Sequence, residues 1–182
     1  MHDRYVQSQR MQGRNMTGQY KSNPHNPMLS THLDLHTLCY SETAEAEGIY
    51  NMPHDAQVIE NLRGLCVNVL NPAIDHFDLP LFITSGYRCP ELNALVGGIP
   101  ESQHQIGQAA DIMMGGIRND QLARWIMENT PFDELILEKF DPSCGEYGWV
   151  HVSYVAEGAR GKVSTFDGEI YHDGFHLLDL SR

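Results

Sequence analysis

Long apolar runs are missing from this chain. No stretch approaches the roughly 20 apolar residues that span a bilayer, so the sequence contains no membrane helix. Positive charge is scarce as well: 12 lysines and arginines stand against 24 aspartates and glutamates, a formal net charge of −12. That balance repels phosphate backbones and excludes nucleic acid as the expected partner. The cysteines are few and scattered, at positions 39, 66, 89 and 144, with no CxxC pair. Zinc knuckles and dithiol redox motifs are therefore excluded. The thiols read as free and made in a reducing compartment, although distant cysteines can still meet in space. Residues 1–10 lack the apolar segment of a signal peptide, so synthesis in the cytoplasm is expected, with work elsewhere needing another route out. No internal repeat is visible.

What is present suits one domain. The apolar share is 41% of 182 residues, slightly under the globular norm but enough for a core. Residues 1–34 read as an arm or linker, rich over their first 30 positions in Gln, Asn, Ser, Gly and Met. A partner protein or neighbouring subunit is one candidate for holding that arm. Residues 35–172 form the expected domain and 173–182 a polar tail that includes His176, with His172 also read as solvated. His32-Leu-Asp-Leu-His36 alternates and predicts a short extended piece; chance composition in a linker is the better reading of its two histidines and a second metal site the weaker one.

Helices are predicted where capping residues precede acids or apolar periods. Ser41 followed by Glu42 to Glu47 and Gly48 predicts a short one. Val58, Leu62, Leu65 and Val69 recur at helical spacing, and Pro72 should end or kink that helix. Pro90 to Val96 and Asn119 to Asn129 complete the set. Strands are predicted at Leu81–Thr84, Ala109–Met114, Leu135–Glu138 and Trp149–Tyr154. Asp167-Gly168 predicts a tight hairpin between Lys162–Phe166 and Glu169–Tyr171. The fold expected is α+β, with an antiparallel sheet flanked by helices.

Two strands carry polar residues that do not belong in apolar surroundings. Asp111 lies among Ala110, Ile112 and Met113, where an unpaired carboxylate is costly. His151 lies in the equally apolar 149–154 strand, and His104 sits in a turn just before the Asp111 strand. Two imidazoles and a carboxylate suit a zinc ion with an open fourth position. Spacing alone leaves another reading open: a buried Asp–His pair and an unrelated strand histidine.

The order of motifs adds to this. Ser85-Gly-Tyr-Arg88, Asn93, Gly97-Gly98, Ser102-x-His104-x-x-Gly107-x-Ala109-x-Asp111 and Trp149-Val-His151-Val-Ser153 follow one another. Together they resemble the zinc D-Ala-D-Ala carboxypeptidase and L-Ala-D-Glu endopeptidase family, in its bacterial and bacteriophage branch. Ser41-Glu-Thr-Ala and Gly48-Ile-Tyr-Asn-Met-Pro53 are similar to that branch too. The resemblance implies His104, Asp111 and His151 as zinc ligands. It implies that Arg88 holds a substrate carboxylate or carbonyl, which its planar fork suits. Ser102 and Tyr87 are candidate pocket residues, with a turn cap and core filling as their plainer roles.

The catalytic base is the least direct assignment. Many relatives carry an acid three residues before the last histidine, where this chain has Gly148. Others sharing the hedgehog-like scaffold place a glutamate at the end of the preceding strand, which here is Glu138. Glu146 is the second choice. The implied activity is hydrolysis of a peptide bond in peptidoglycan stem peptides, with the wall peptide as partner. A phage-type lysin or virion-associated enzyme is the expected setting. The competing expectations are a virion structural or attachment protein that keeps the scaffold without turnover, and a zinc-holding module that binds wall peptides.

Overall fold

The computed structural model describes residues 26–141, 143, 145 and 147–175. The first three helices start at a short polar side chain that captures a loose amide. Asp34 caps α1 (Leu35–Cys39) by accepting from the Thr37 amide at 2.8 Å. This bond corrects the expected extended piece over 32–36: the aspartate ends extension and starts a helix. Ser41 caps α2 (Glu42–Glu47), which closes on Gly48 at φ 69°. Asp55 caps α3 (Ala56–Leu65). The chain then crosses Pro72 without stopping. Asn71 reaches back to the Cys66 carbonyl through a π-helical turn, Cys66–Leu70, and α4 (Asn71–Phe77) follows. Widening a helix just before a proline relieves the clash of its ring with the preceding turn. The Asn68 side chain donates to the Gly64 carbonyl at 2.8 Å within this stretch.

The rest of the domain is β1 (Leu81–Ser85), α5 (Pro90–Leu95), β2 (Ala109–Met114), α6 (Asn119–Asn129), β3 (Glu134–Glu138), β4 (Trp149–Ser153), β5 (Lys162–Phe166) and β6 (Tyr171–Asp173). The strands form one six-stranded sheet in the order β1-β2-β4-β3-β5-β6. Its neighbours run antiparallel except β3 and β5, which are parallel. The parallel pair departs from the expected antiparallel sheet, and its cause is local. β4 ends beside the start of β3, so the chain turns around that start before β5 begins. Asp133 is the post it turns on. Its amide donates to the Ser153 carbonyl and its carbonyl accepts from Lys162, at 2.8 and 3.0 Å. Its buried carboxylate accepts from the Arg160 amide and guanidinium and from Gln103.

That carboxylate sits low, at about 2, chiefly because Arg160 hydrogen-bonds it. Its contribution to stability is present above the ordinary aspartate range and is lost as pH falls toward about 2. Asp133→Ala should cost about 2–3 kcal/mol at neutral pH, read from urea unfolding, and the gap to wild type should narrow in acid.

The β5–β6 turn also differs from the tight form expected. Phe166 pairs with Tyr171, so four residues, 167–170, make the loop. The Asp167 carboxylate accepts from the Glu169 and Ile170 amides at 2.8 and 2.9 Å, which lengthens the turn.

Alternation divides the sheet by chemistry. Ala110, Ile112, Leu135, Leu137, Val150 and Val152 share one core with Leu62, Leu65 and Val69 of the α3 region and Leu122 and Ile126 of α6. Asp111, Ile136, Glu138, Trp149 and His151 alternate with those strand residues and line a cleft on the other face. The expected arm reaches the described chain only from residue 26. There Leu29 and Leu33 join the core, and Arg63 donates to the Met28 and Leu29 carbonyls, both at 3.0 Å. Residues 1–25, and the tail beyond 175 with His176, lie outside the described residues. His172 falls in β6 and bonds Asp167 at 2.9 Å. Cys39, Cys66 and Cys89 are free thiols; burial pushes the first two up to about 12. No described helix is long and apolar enough to cross a membrane.

Candidate metal centre

Three candidate ligand side chains arrive from different elements. His104 stands on a single 3₁₀ turn, Gln103–Ile106, capped by Ser102 and closed by Gly107 at φ 72°. Only glycine fits at 107, since a Cβ there would lie 2.5 Å from the Val58 carbonyl oxygen. Asp111 is in β2 and His151 is its direct cross-strand partner in β4. Strand register thus fixes two ligands together, and the turn brings the third.

Their atoms converge. His151 Nδ1 is 2.8 Å from Asp111 Oδ1, His104 Nε2 is 3.3 Å from His151 Nδ1, and His104 Nε2 is 3.4 Å from Asp111 Oδ1. Zinc–nitrogen and zinc–oxygen bonds near 2.0–2.2 Å imply donor separations of about 3.3 Å in a tetrahedron. The observed triangle fits that requirement. Among the described residues these three form the group that could hold a metal ion. The outer contacts agree with that role. His104 Nδ1 lies 2.7 Å from the Gly86 carbonyl, so Nδ1 carries the proton and Nε2 presents its lone pair inward.

Arg88 completes the arrangement from the side. Its Nη2 donates to Asp111 Oδ2 at 2.6 Å and its Nε to Ser85 Oγ at 2.7 Å. The carboxylate is therefore divided: Oδ2 faces the guanidinium and Oδ1 faces both imidazoles. Burial works to raise the Asp111 carboxyl, but the His104 and His151 rings outweigh it and hold it far below the usual range. Burial likewise works to lower His151, and its bond to Asp111 outweighs that, leaving the ring raised. The mutual charge stabilisation is what a cation at this point would draw on.

Glu138 closes β3. It pairs with Trp149 while Ile136 pairs with His151, so Glu138 and His151 are diagonal neighbours on one face, within reach of long side chains. Burial, and then the charge of Asp111, push the Glu138 carboxyl up to about 6. A carboxyl in that range is suited to exchanging protons near neutrality. Gly148 has no room for an acidic side chain. At φ 78°, a Cβ would lie on the Glu138 carbonyl oxygen and 2.7 Å from Lys139 main-chain atoms. Gly148→Glu should cost about 3 kcal/mol or more through left-handed strain and overpacking, seen as a lowered Tm, and should not restore activity to a Glu138→Ala enzyme. Glu146 lies outside the described residues.

The cleft encloses about 840 Å³. Arg88 and Ser102 line it with the ligands and Glu138. Tyr87 does not: its side chain belongs to the hydrophobic core. His32 and His36 do not converge, since His32 bonds Asp75 at 2.7 Å and His36 lies beside Tyr40. Sequence reasoning missed the far wall, where Phe166 stacks on Tyr171 with ring centroids 4.5 Å apart. It also missed Arg160, which bonds Asp133 and Gln103, the neighbour of His104. A strand alternation that places Phe166 and Tyr171 beside Glu138 was the available signal, but it needs the parallel register to be known.

Comparison with known proteins gives a family. The family model described as Peptidase M15 matches residues 31–153, a span that takes in all three ligand candidates, Arg88 and Glu138. No curated protein matches the sequence. With that match running over more than half of its length, the chain belongs to the peptidase M15 family.

Proposed function

We propose that this chain is a zinc peptidase that hydrolyses a bond in the stem peptides of peptidoglycan, with His104, Asp111 and His151 holding the metal. The observation that carries the reading is the triangle of His104 Nε2, Asp111 Oδ1 and His151 Nδ1 set in an open cleft beside Glu138. Zinc bound there supplies Lewis acidity toward water and toward a peptide carbonyl. Glu138 takes the proton from the attacking water and returns it to the departing amine. Its raised proton affinity favours the first half of that exchange.

Arg88 has two tasks in this account. Its Nη2 holds Asp111 so that Oδ1 stays available. Its remaining N–H groups, on the cleft wall, suit a substrate carboxylate or the polarised carbonyl. Ser102 caps the His104 turn and contacts substrate from the same wall. Tyr87 supports the loop from the core. Such an enzyme meets its substrate at the cell wall, as a lysin or virion component would.

Incubation with purified sacculi, followed by mass spectrometry of the soluble products, tests this. Zinc-loaded protein should release stem-peptide fragments whose termini identify the bond cut, and chelation should stop their release. Saturable binding without fragments would instead mark a wall-binding or structural protein on a peptidase scaffold.

A further inference from the structure

The segment Gly48 to Pro53 resembles the peptidase branch yet contributes nothing to the cleft lining. Its one buried polar side chain, Asn51, is 7% exposed and makes three hydrogen bonds to main chain. Nδ2 donates to the Cys39 carbonyl at 2.8 Å and to the Tyr87 carbonyl at 2.9 Å. Oδ1 accepts from the Cys89 amide at 2.7 Å. The Tyr87 and Cys89 contacts straddle Arg88, so one carboxamide grips the chain on both sides of it and ties it to the end of α1.

The gripped segment is pressed against α1 as well. The Tyr87 amide donates to the Leu38 carbonyl at 2.6 Å. Gly86 approaches so closely that a Cβ would stand 2.1 Å from that same oxygen. From this fixed loop come the outer contacts of the metal centre. The Gly86 carbonyl orients His104, Arg88 Nη2 holds Asp111, and the Arg88 amide donates to the His104 carbonyl at 3.2 Å.

We propose that Asn51 is a positioning residue for the metal centre, fixing residues 86–89 and through them the ligand atoms of His104 and Asp111. This rests on the reading of those residues as zinc ligands. No other side chain reproduces the grip. Aspartate keeps the shape and the acceptor but has no amide donors, glutamine is a methylene too long, and alanine leaves two carbonyls and an amide unpaired.

The test measures zinc affinity by chelator competition, together with kcat, KM and Tm, for wild type, Asn51→Asp, Asn51→Ser and the core control Ile126→Val. Outer contacts of metal ligands typically carry 10–100-fold in affinity or activity. Asn51→Asp should lose about 10-fold in zinc affinity and a similar factor in kcat, with KM changed less than about 3-fold. Ile126→Val should lower Tm without moving either. Wild-type zinc affinity and kcat in a folded but less stable Asn51→Asp or Asn51→Ser would overturn the proposal, as would failure of both variants to fold, which marks a purely structural side chain. Absence of zinc binding by the wild type would overturn the ligand assignment instead.

Discussion

Glu138→Gln should lower kcat/KM on stem peptides by about 100-fold or more, the usual worth of a general base, while zinc affinity stays within a few-fold of wild type. Glutamine keeps the size and the hydrogen-bonding reach of the side chain and loses only its basicity. Glu138 is not among the three converging ligand atoms, so the metal should remain. The pH profile carries an independent signature. The base works deprotonated, so kcat/KM should rise with pH through an acid limb set by Glu138. Burial and Asp111 push that carboxyl up to about 6 in the metal-free site, and a bound cation draws it, and the limb with it, to lower pH. The limb should be absent in Glu138→Gln, whose residual activity would show no dependence on that group. Full activity in the variant would remove Glu138 from the mechanism.

Asp111→Asn should have the second large effect, on metal and fold together. The substitution removes the one anionic ligand from the triangle and leaves the Arg88 guanidinium without its partner at a side chain only 15% exposed. Breaking a fully buried pair costs about 3–5 kcal/mol. Arg88 borders the open cleft and can recover some hydration, so about 2–3 kcal/mol is expected here. Zinc affinity should fall by more than about 100-fold, since even outer contacts of metal ligands reach that range, and peptide release should fall to background. Adding Arg88→Ala to Asp111→Asn should cost less stability than it does in the wild type, because the second change removes the stranded charge. Strictly additive losses would mean that the two residues do not act as a pair.

Two members of the candidate ligand set were legible in the sequence because they violated their surroundings, while His104, in a polar turn, was tied to them by the order of motifs. An aspartate inside Ala-Ala-Asp-Ile-Met and a histidine inside Trp-Val-His-Val have no reason to be there without a cation or a partner. Helices were legible where a cap and acids agreed, as at Ser41, or where an apolar face recurred, as with Leu122 and Ile126 in Asn119–Asn129. Three things were not. Asp34 lies in an alternating stretch, and a capping aspartate looks like an exposed strand aspartate there until the Thr37 amide is seen to point at it. The parallel β3–β5 pair depends on Asp133 anchoring a turn whose partners, Ser153, Arg160 and Lys162, lie 20 or more residues downstream. Periodicity carries no such long-range information. Nor could sequence say why Gly148 is glycine: that follows from the closeness of the Glu138 carbonyl, a contact between the ends of a connecting loop. Tyr87 shows the same limit, since the motif that carries Arg88 into the cleft turns its neighbour into the core.

One titration bears on the central claim most directly. Metal-free protein is titrated with zinc while bound metal and released stem-peptide fragments are followed in the same samples. The account predicts that both rise together and level off at one zinc per chain, and that His104→Ala and His151→Ala abolish both. Fragment release that persists without metal, or one tightly bound zinc in both histidine variants, would contradict it.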